Sequence, residues 1–335
     1  MKTILRILGL LIFATVTPTQ TASAQLYDLT DLGTLGGNSY ATGINASGQV
    51  VGYFYTGGGS NGNYHAFLRS NGVMEDLGTL GGNNSLANGI NDSGQVVGGS
   101  STSSGYPHAF RYSKKTMQDL GTLGGNGSGG NGINANGQVV GSAYTSGGIL
   151  HAYLFSNGKM TDITPSAGST DAAGINSSGQ VLGVDRDSGN VFLYLNGSTN
   201  YIGAGEPYGI NESGHAVGQN TLGAFLYRDG VMQIIGSGAA VGINNSDQVV
   251  GTNASSAFLY SNGLWQNLNG LVINMPTGWT LTMANGINDL GQIVGTMKRT
   301  GFNQEHAFLL TPVPSPATLG LLVLGSAVMI GRRRR

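Results

Sequence analysis

Short apolar segments recur along this chain between polar turns rich in Gly and Asn, and their pattern predicts strands. The clearest case is GINASGQVVG, Gly43 to Gly52, in which Ile44 precedes the five residues Asn45 to Gln49 and Val50 and Val51 follow them. Asn45 at the first turn position can fold its side chain back on the backbone, and Gly48 tolerates positive φ. N-x-x-G therefore predicts a type I turn with a glycine bulge joining two strands. Six further copies begin at Gly89, Gly132, Gly174, Gly209, Gly242 and Gly286, at spacings of 46, 43, 42, 35, 33 and 44 residues. In the sixth copy Asp247 stands where the others carry Gly, and Asp enters the left-handed region at a cost the turn can bear.

Two more segments recur between copies. One is an aromatic strand, HAFL at His65, HAFR at His108, HAYL at His151, NVFL at Asn190, GAFL at Gly223, SAFL at Ser256 and HAFL at His306. The other is typified by GVMEDLG from Gly72 and KTMQDLG from Lys115. Each unit thus holds four short strands, A to D, in roughly 40 residues, the size and strand count of a propeller blade. The segment LYDLTDLG from Leu26 reads as a D strand with no A, B or C before it, while the last unit ends at HAFLLT without a D. The inventory balances if the first strand completes the last blade. The fold expected is all-β, a seven-bladed β-propeller closed by its N-terminal strand; an open solenoid would leave the strands unbalanced and the sheet edges exposed.

The two ends follow a different pattern. Lys2 and Arg6 flank the start of an apolar run from Ile7 to Val16, and Ala22-Ser23-Ala24 supplies small residues for cleavage, with Ala22 and Ala24 at the recognition positions. The run is short for a membrane span, so residues 1–24 read as a secretory signal peptide and 25–311 as the propeller. Residues 312–335 hold a Pro-rich break, an apolar run from Ala317 to Gly331 expected to form a short hydrophobic helix, and four terminal arginines. By the positive-inside rule these hold the tail at a cytoplasmic face. The expected partners are signal peptidase and, transiently, the inner membrane.

Composition narrows the classes. Without the basic residues of the two ends, nine Lys and Arg face sixteen Asp and Glu, a balance that argues against nucleic acid as a partner. The chain has no Cys, so no disulfide supports it.

The tail resembles the PEP-CTERM sorting signal of exopolysaccharide-producing Gram-negative bacteria through Val313, Pro314, Pro316, the ATLGLL run and Arg332, Arg333, Arg334 and Arg335; it departs at Ser315, where that signal usually carries Glu. The resemblance implies processing by an exosortase-type sorting enzyme and a place on the cell surface or in the extracellular matrix. The motifs DLGTLGG, GIN..GQVVG and HAF together resemble the bacterial extracellular HAF-repeat family over nearly all of Leu26 to Thr311. That resemblance implies an exported repeat protein and brings no catalytic residues.

Candidate chemistry is sparse. His65, His108, His151 and His306 open C strands, but equivalent positions on packed blades lie roughly 10 Å apart, too far to share a metal ion bound at about 2 Å. They read instead as hydrogen-bonding a repeated loop, with His215 in place of a Gln. Asp31, Asp76, Asp119 and Asp162 recur on D strands as turn or cap contacts. Asp185 and Asp187, two residues apart in DRDSG, form a weak calcium candidate. GTLGGN lacks the Lys and Ser or Thr of a phosphate cradle, and no nucleophile and base pair is visible. No cofactor is implied. The repeat is broken mainly by the B-to-C loops, where Tyr53, Tyr55, Tyr64, Tyr106, Tyr144 and Phe302 fall among Asn, Ser and Gly, a set suited to sugar rings. The function expected is an exported, non-catalytic surface or matrix repeat protein, binding exopolysaccharide or a surface partner through those loops. The alternative is an extracellular glycan-active hydrolase or lyase on the same scaffold.

Overall fold

A computed structural model describes residues 24–314, apart from 61 and 255. These residues form seven four-stranded antiparallel sheets. Blade 1 runs Ser39–Ile44, Val50–Tyr55, Tyr64–Ser70 and Val73–Asp76 as strands A to D, and the next five blades repeat that order. Blade 7 takes Trp279–Ile287, Ile293–Arg299 and Glu305–Pro312 as A to C, and its D strand is Tyr27–Gly33 from the other end of the chain. The expected closed ring is what the chain adopts. Among the described residues no helix is long and apolar enough to cross a membrane; the signal peptide through residue 23 and the hydrophobic tail from Ser315 lie outside them.

Each letter of the decapeptide has a mechanical task. Successive strand residues point to opposite sheet faces, and in a ring both faces are buried, so the paired valines pack in opposite directions. Val50 joins Val294 of blade 7 in one cluster, while Val51 joins Val96 of blade 2 in the next. Val97 then meets Val139, Val140 meets Val181, Val217 meets Val249 and Val250 meets Ile293. The C-strand aromatics Phe67, Phe110, Tyr153, Phe192, Phe225, Phe258 and Phe308 fill the space between blades and are buried. Each such side chain contributes about 1.5–3 kcal/mol by burial.

The Gly after the valines faces a β-bulge in strand A. Register shifts occur at Ala41/Gly43 and at Ala87/Gly89, with equivalents in every blade, and a Cβ on Gly98 would lie 1.9 Å from the Leu86 carbonyl oxygen. The expected turn is present as well: the Gly48 N–H donates to the Asn45 carbonyl at 3.0 Å and Gly48 has φ +76°. Asp247 holds the same left-handed conformation at φ +57°.

The Asn of each GIN closes a ring of its own around the central channel. Asn45 Nδ2 donates to the Asn91 carbonyl, Asn91 to Asn134, Asn134 to Asn176, Asn176 to Asn211, Asn211 to Asn244, Asn244 to Asn288 and Asn288 back to Asn45, at 3.0 to 3.3 Å. All seven side chains are buried. This ring and the A-to-B turns occupy one face of the molecule; the B-to-C loops and D-to-A connections occupy the other.

Candidate active site at the loop-bearing mouth of the channel

The six aromatics expected in the loops fall in three places, and four of them, Tyr53, Tyr55, Tyr64 and Tyr144, lie on the adjoining ends of the B and C strands, which run further than the sequence pattern implied. Tyr53, Tyr55 and Tyr64 pack on one another and on Tyr40, with Tyr40 and Tyr53 stacked at 4.9 Å between centroids. Tyr40 donates a hydrogen bond to Glu305 of blade 7, and burial pushes the Tyr53 hydroxyl up to about 12. Phe302 lies under the Arg299 guanidinium at 4.4 Å. Tyr106 and Tyr144 line a cavity of about 650 Å³ between blades 2 and 3.

The histidines pair with the aspartates of the same blade. Nδ1 of His65, His108 and His151 stands 2.8, 2.8 and 2.6 Å from Asp76, Asp119 and Asp162, and His306 reaches Asp31 at 2.9 Å across the ring closure. Each carboxylate also accepts an N–H two residues on, from Gly33, Gly78, Gly121 and Thr164, at 2.7 to 2.8 Å. The module fastens the turn after strand D. The two residue types were read separately from sequence, yet they travel together: the three blades opening strand C with Asn190, Gly223 or Ser256 carry Tyr201, Ile234 or Asn267 at the partner position. His215 and Asp247, each a departure from the repeat, are likewise paired at 2.8 Å.

The calcium candidate folds in on its own loop. Asp185 Oδ1 accepts the N–H groups of Asp187 and Ser188 at 3.0 and 3.2 Å, and Asp187 Oδ2 accepts that of Ser169 at 3.3 Å. For Asp185, desolvation acts to raise the pKa, but these N–H donors and the Tyr201 hydroxyl outweigh it and the net shift is downward. The two carboxylates thus cap a turn, and among the described residues no three His, Cys, Asp or Glu side chains gather to hold an ion. Of the processing residues, Ala24 and Pro314 stand at the limits of the described chain, and Ala22, Ser315, Pro316 and Arg332 to Arg335 lie outside it.

A different set of residues converges at the channel mouth. Three residues before the Gly of each GIN the chain reads Tyr40, Leu86, Gly129, Asp171, Glu206, Ala239 and Met283; three after the Gly that ends each decapeptide it reads Tyr55, Ser101, Tyr144, Arg186, Thr221, Ala254 and Lys298. Blades 4 and 5 alone place carboxylates at the first position, and blade 4 places Arg at the second. Arg186 Nη1 donates to both Glu206 oxygens at 2.7 and 2.8 Å, and Nη2 donates to Asp171 at 3.1 Å. Asn131 Nδ2 donates to the other Asp171 oxygen at 3.1 Å. With Asn88 and Tyr208 these groups line a cavity of about 300 Å³. Desolvation acts to lower the Arg186 pKa, but its bonds to Asp171 and Glu206 outweigh it and hold the group above its ordinary value. Desolvation and the neighbouring Glu206 raise Tyr208. The sequence signal for this site was side-chain charge at fixed repeat positions, which motif spacing alone does not display.

No family model matches the chain, and no curated protein matches it. Solved structures do resemble it. Virginiamycin B lyase from Staphylococcus aureus aligns with a TM-score of 0.53 at 14% identity, covering 86% of this chain and 100% of the other. Regucalcin from Agrobacterium tumefaciens aligns at 0.43 and 11% identity, covering 87% and 97%. The PQQ-bound aldose sugar dehydrogenase from Streptomyces coelicolor aligns at 0.40 and 12%, covering 86% and 98%. At 14% identity the likeness to the lyase shows a shared fold alone.

The expectation of a non-catalytic repeat protein, and of a chain that is not an enzyme, is corrected by this comparison. The fold is one on which a lyase is built, so repetition of the blades does not argue against catalysis. The physical reason is that the repeat specifies blade packing, whereas chemistry needs only a few strand-end positions facing the channel mouth. Those positions are the ones at which Asp171, Arg186 and Glu206 depart from the other blades.

Proposed function

We propose that the chain is an extracellular glycan-active hydrolase or lyase working at the channel mouth. The observation that carries this reading is the convergence of Asp171, Arg186 and Glu206 in one cavity, from two blades, at positions where other blades are mostly neutral. Two carboxylates against one guanidinium leave the cavity net negative, which favours the positive charge that develops on a sugar ring during glycoside hydrolysis. In that reaction one carboxyl protonates the leaving oxygen and the other supports attack at the anomeric carbon. Tyr208, whose hydroxyl burial and Glu206 hold in its protonated form, supports the lyase form as the acid toward the leaving oxygen, with a neighbouring carboxylate as the base. The resemblances of the two ends support export and sorting to the cell surface or matrix, where an exopolysaccharide is the substrate at hand.

The test is incubation of the full chain with a panel of neutral and uronate polysaccharides. New reducing ends without ultraviolet absorbance indicate hydrolysis, and absorbance of an unsaturated product indicates elimination. Activity that is absent from the panel, or unchanged in Asp171→Asn and Glu206→Gln, overturns the proposal. Mass spectrometry of the exported protein tests the sorting reading, which an intact Arg335 on the secreted product rejects.

A further inference from the structure

The cavity between blades 2 and 3 exists because blade 3 lacks side chains that blade 2 has. Aligned on GIN, the segment GGNGSGGNGI of blade 3 carries Gly127 and Gly129 where GGNNSLANGI of blade 2 carries Asn84 and Leu86. The intervening serines are unchanged in role: Ser85 and Ser128 each donate to the carbonyl seven residues back and accept the N–H of the preceding blade's C strand, from Ala66 and Ala109 respectively. The backbone is therefore kept while the side chains are removed. A Cβ at Gly129 would meet nothing within 4 Å, and one at Gly127 would stand 3.1 Å from the Pro107 carbonyl oxygen.

The space opened in this way has a definite chemical character. Tyr106 and Tyr144 on its walls are 50% and 45% exposed, and unlike the tyrosines of blade 1 neither packs on another aromatic ring among the described residues. Every lining residue is uncharged, and Asn126, Ser142 and Ser146 offer an amide and two hydroxyls. Exposed aromatic faces suit the C–H surfaces of a pyranose ring, and neutral donors and acceptors suit its hydroxyls; without a cation in the lining, a carboxylated or sulfated chain gains no ion pair. The volume, about 650 Å³, is that of a site for a small ligand.

We infer that the cleft between Tyr106 and Tyr144 is a binding site for neutral pyranose chains. It is separate from the charged cavity lined by Asp171, Arg186 and Glu206, and it stands whether or not the chain cleaves the polymer it holds.

The experiment is an oligosaccharide array of neutral hexose chains and uronate chains, probed with the full chain carrying Arg186→Ala so that turnover does not consume the ligand. Neutral chains are expected to bind, and Tyr106→Ala and Tyr144→Ala each to weaken them by about tenfold or more. Gly129→Leu restores the residue of blade 2, fills the cleft and is expected to abolish binding with the melting temperature kept. Should Gly129→Leu fail to fold, Tyr144→Ser makes the same distinction from the cleft wall. Absence of neutral-chain binding, preference for uronates, or binding indifferent to these substitutions overturns the inference. Reducing-end and absorbance assays on the unsubstituted chain report separately on cleavage.

Discussion

His306 Nδ1 stands 2.9 Å from the Asp31 carboxylate across 275 residues of sequence, in the arrangement that His65 and Asp76 adopt at 2.8 Å within one blade. The closing blade thus reproduces, between opposite ends of the chain, a contact that other blades make locally.

This pair gives stability a dependence on pH. For Asp31, desolvation acts to raise the pKa, but the hydrogen bond from His306 and the N–H of Gly33 outweigh it and lower it overall. A lowered folded-state pKa means stability that is present above the unfolded value of about 3.9 and lost as pH falls through the folded one. Asp31 is 40% exposed as a side chain, so its contact with His306 contributes under about 1 kcal/mol. Asp31→Ala is expected to lower the melting temperature at pH 7, with the gap from the natural chain narrowing as the pH falls below about 4.

The asparagine ring is a stronger determinant. Asn91 donates to the Asn134 carbonyl and accepts the Gln95 N–H, both at 3.0 Å and out of water. Asn91→Ala leaves the Gln95 N–H without its acceptor and takes one of two donors from the Asn134 carbonyl, which keeps the Gly137 N–H, and is expected to cost about 1–3 kcal/mol in urea unfolding. Asn126→Ala, on the opposite face, should change stability by less than about 0.5 kcal/mol. Equal effects from the two would contradict the role of the ring.

Two adjacent glycines separate sterics from strand propensity. A Cβ on Gly98 would lie 1.9 Å from a backbone oxygen, whereas one on Gly99 would meet nothing within 4 Å. Gly98→Ala is expected to cost about 2 kcal/mol or more through displacement of the bulged strand, and Gly99→Ala to leave the unfolding free energy within about 0.5 kcal/mol of the natural chain.

At the charged cavity, removing Arg186 brings the Asp171 and Glu206 carboxylates together with no cation between them. Like charges at close range raise the pKa of one of the pair. Arg186→Ala is expected to lower turnover by about a hundredfold or more and to shift the acid limb of the remaining pH profile upward. A rate that falls with the profile unmoved would place the arginine outside the coupling between the carboxylates.

The repeat made the ring legible in the sequence, because a contact built seven times leaves seven copies of its requirements: Asn45 for the channel ring, Gly48 for the turn, Val50 and Val51 for the two blade faces, Gly52 for the bulge. What repeats is architecture, so the same reading passed over sites that occur once. Asp171, Arg186 and Glu206 sit in ordinary motifs and meet only when blades 4 and 5 are placed side by side. The pairs of His with Asp were accessible in principle, since the two residues are gained and lost together from blade to blade. So was the match of His215 with Asp247, two departures that compensate each other. The division of the tyrosines into a packed cluster and an open cleft depends on which neighbouring residues are glycine.

The strand that closes the ring also sets how the molecule bears force. Tyr27 pairs with Pro312, the Val313 N–H donates to the Leu26 carbonyl at 2.8 Å, and Gln25 reaches the Val313 carbonyl at 2.8 Å, so both ends of the ring emerge side by side at one edge. Tension applied between them loads the outermost hydrogen bonds first and peels the two strands apart one pair at a time. Tension applied between two loops of different blades instead meets the packed aromatic and valine layers together. The propeller is therefore a directional fastener, weak along the line joining its own ends and strong across its diameter.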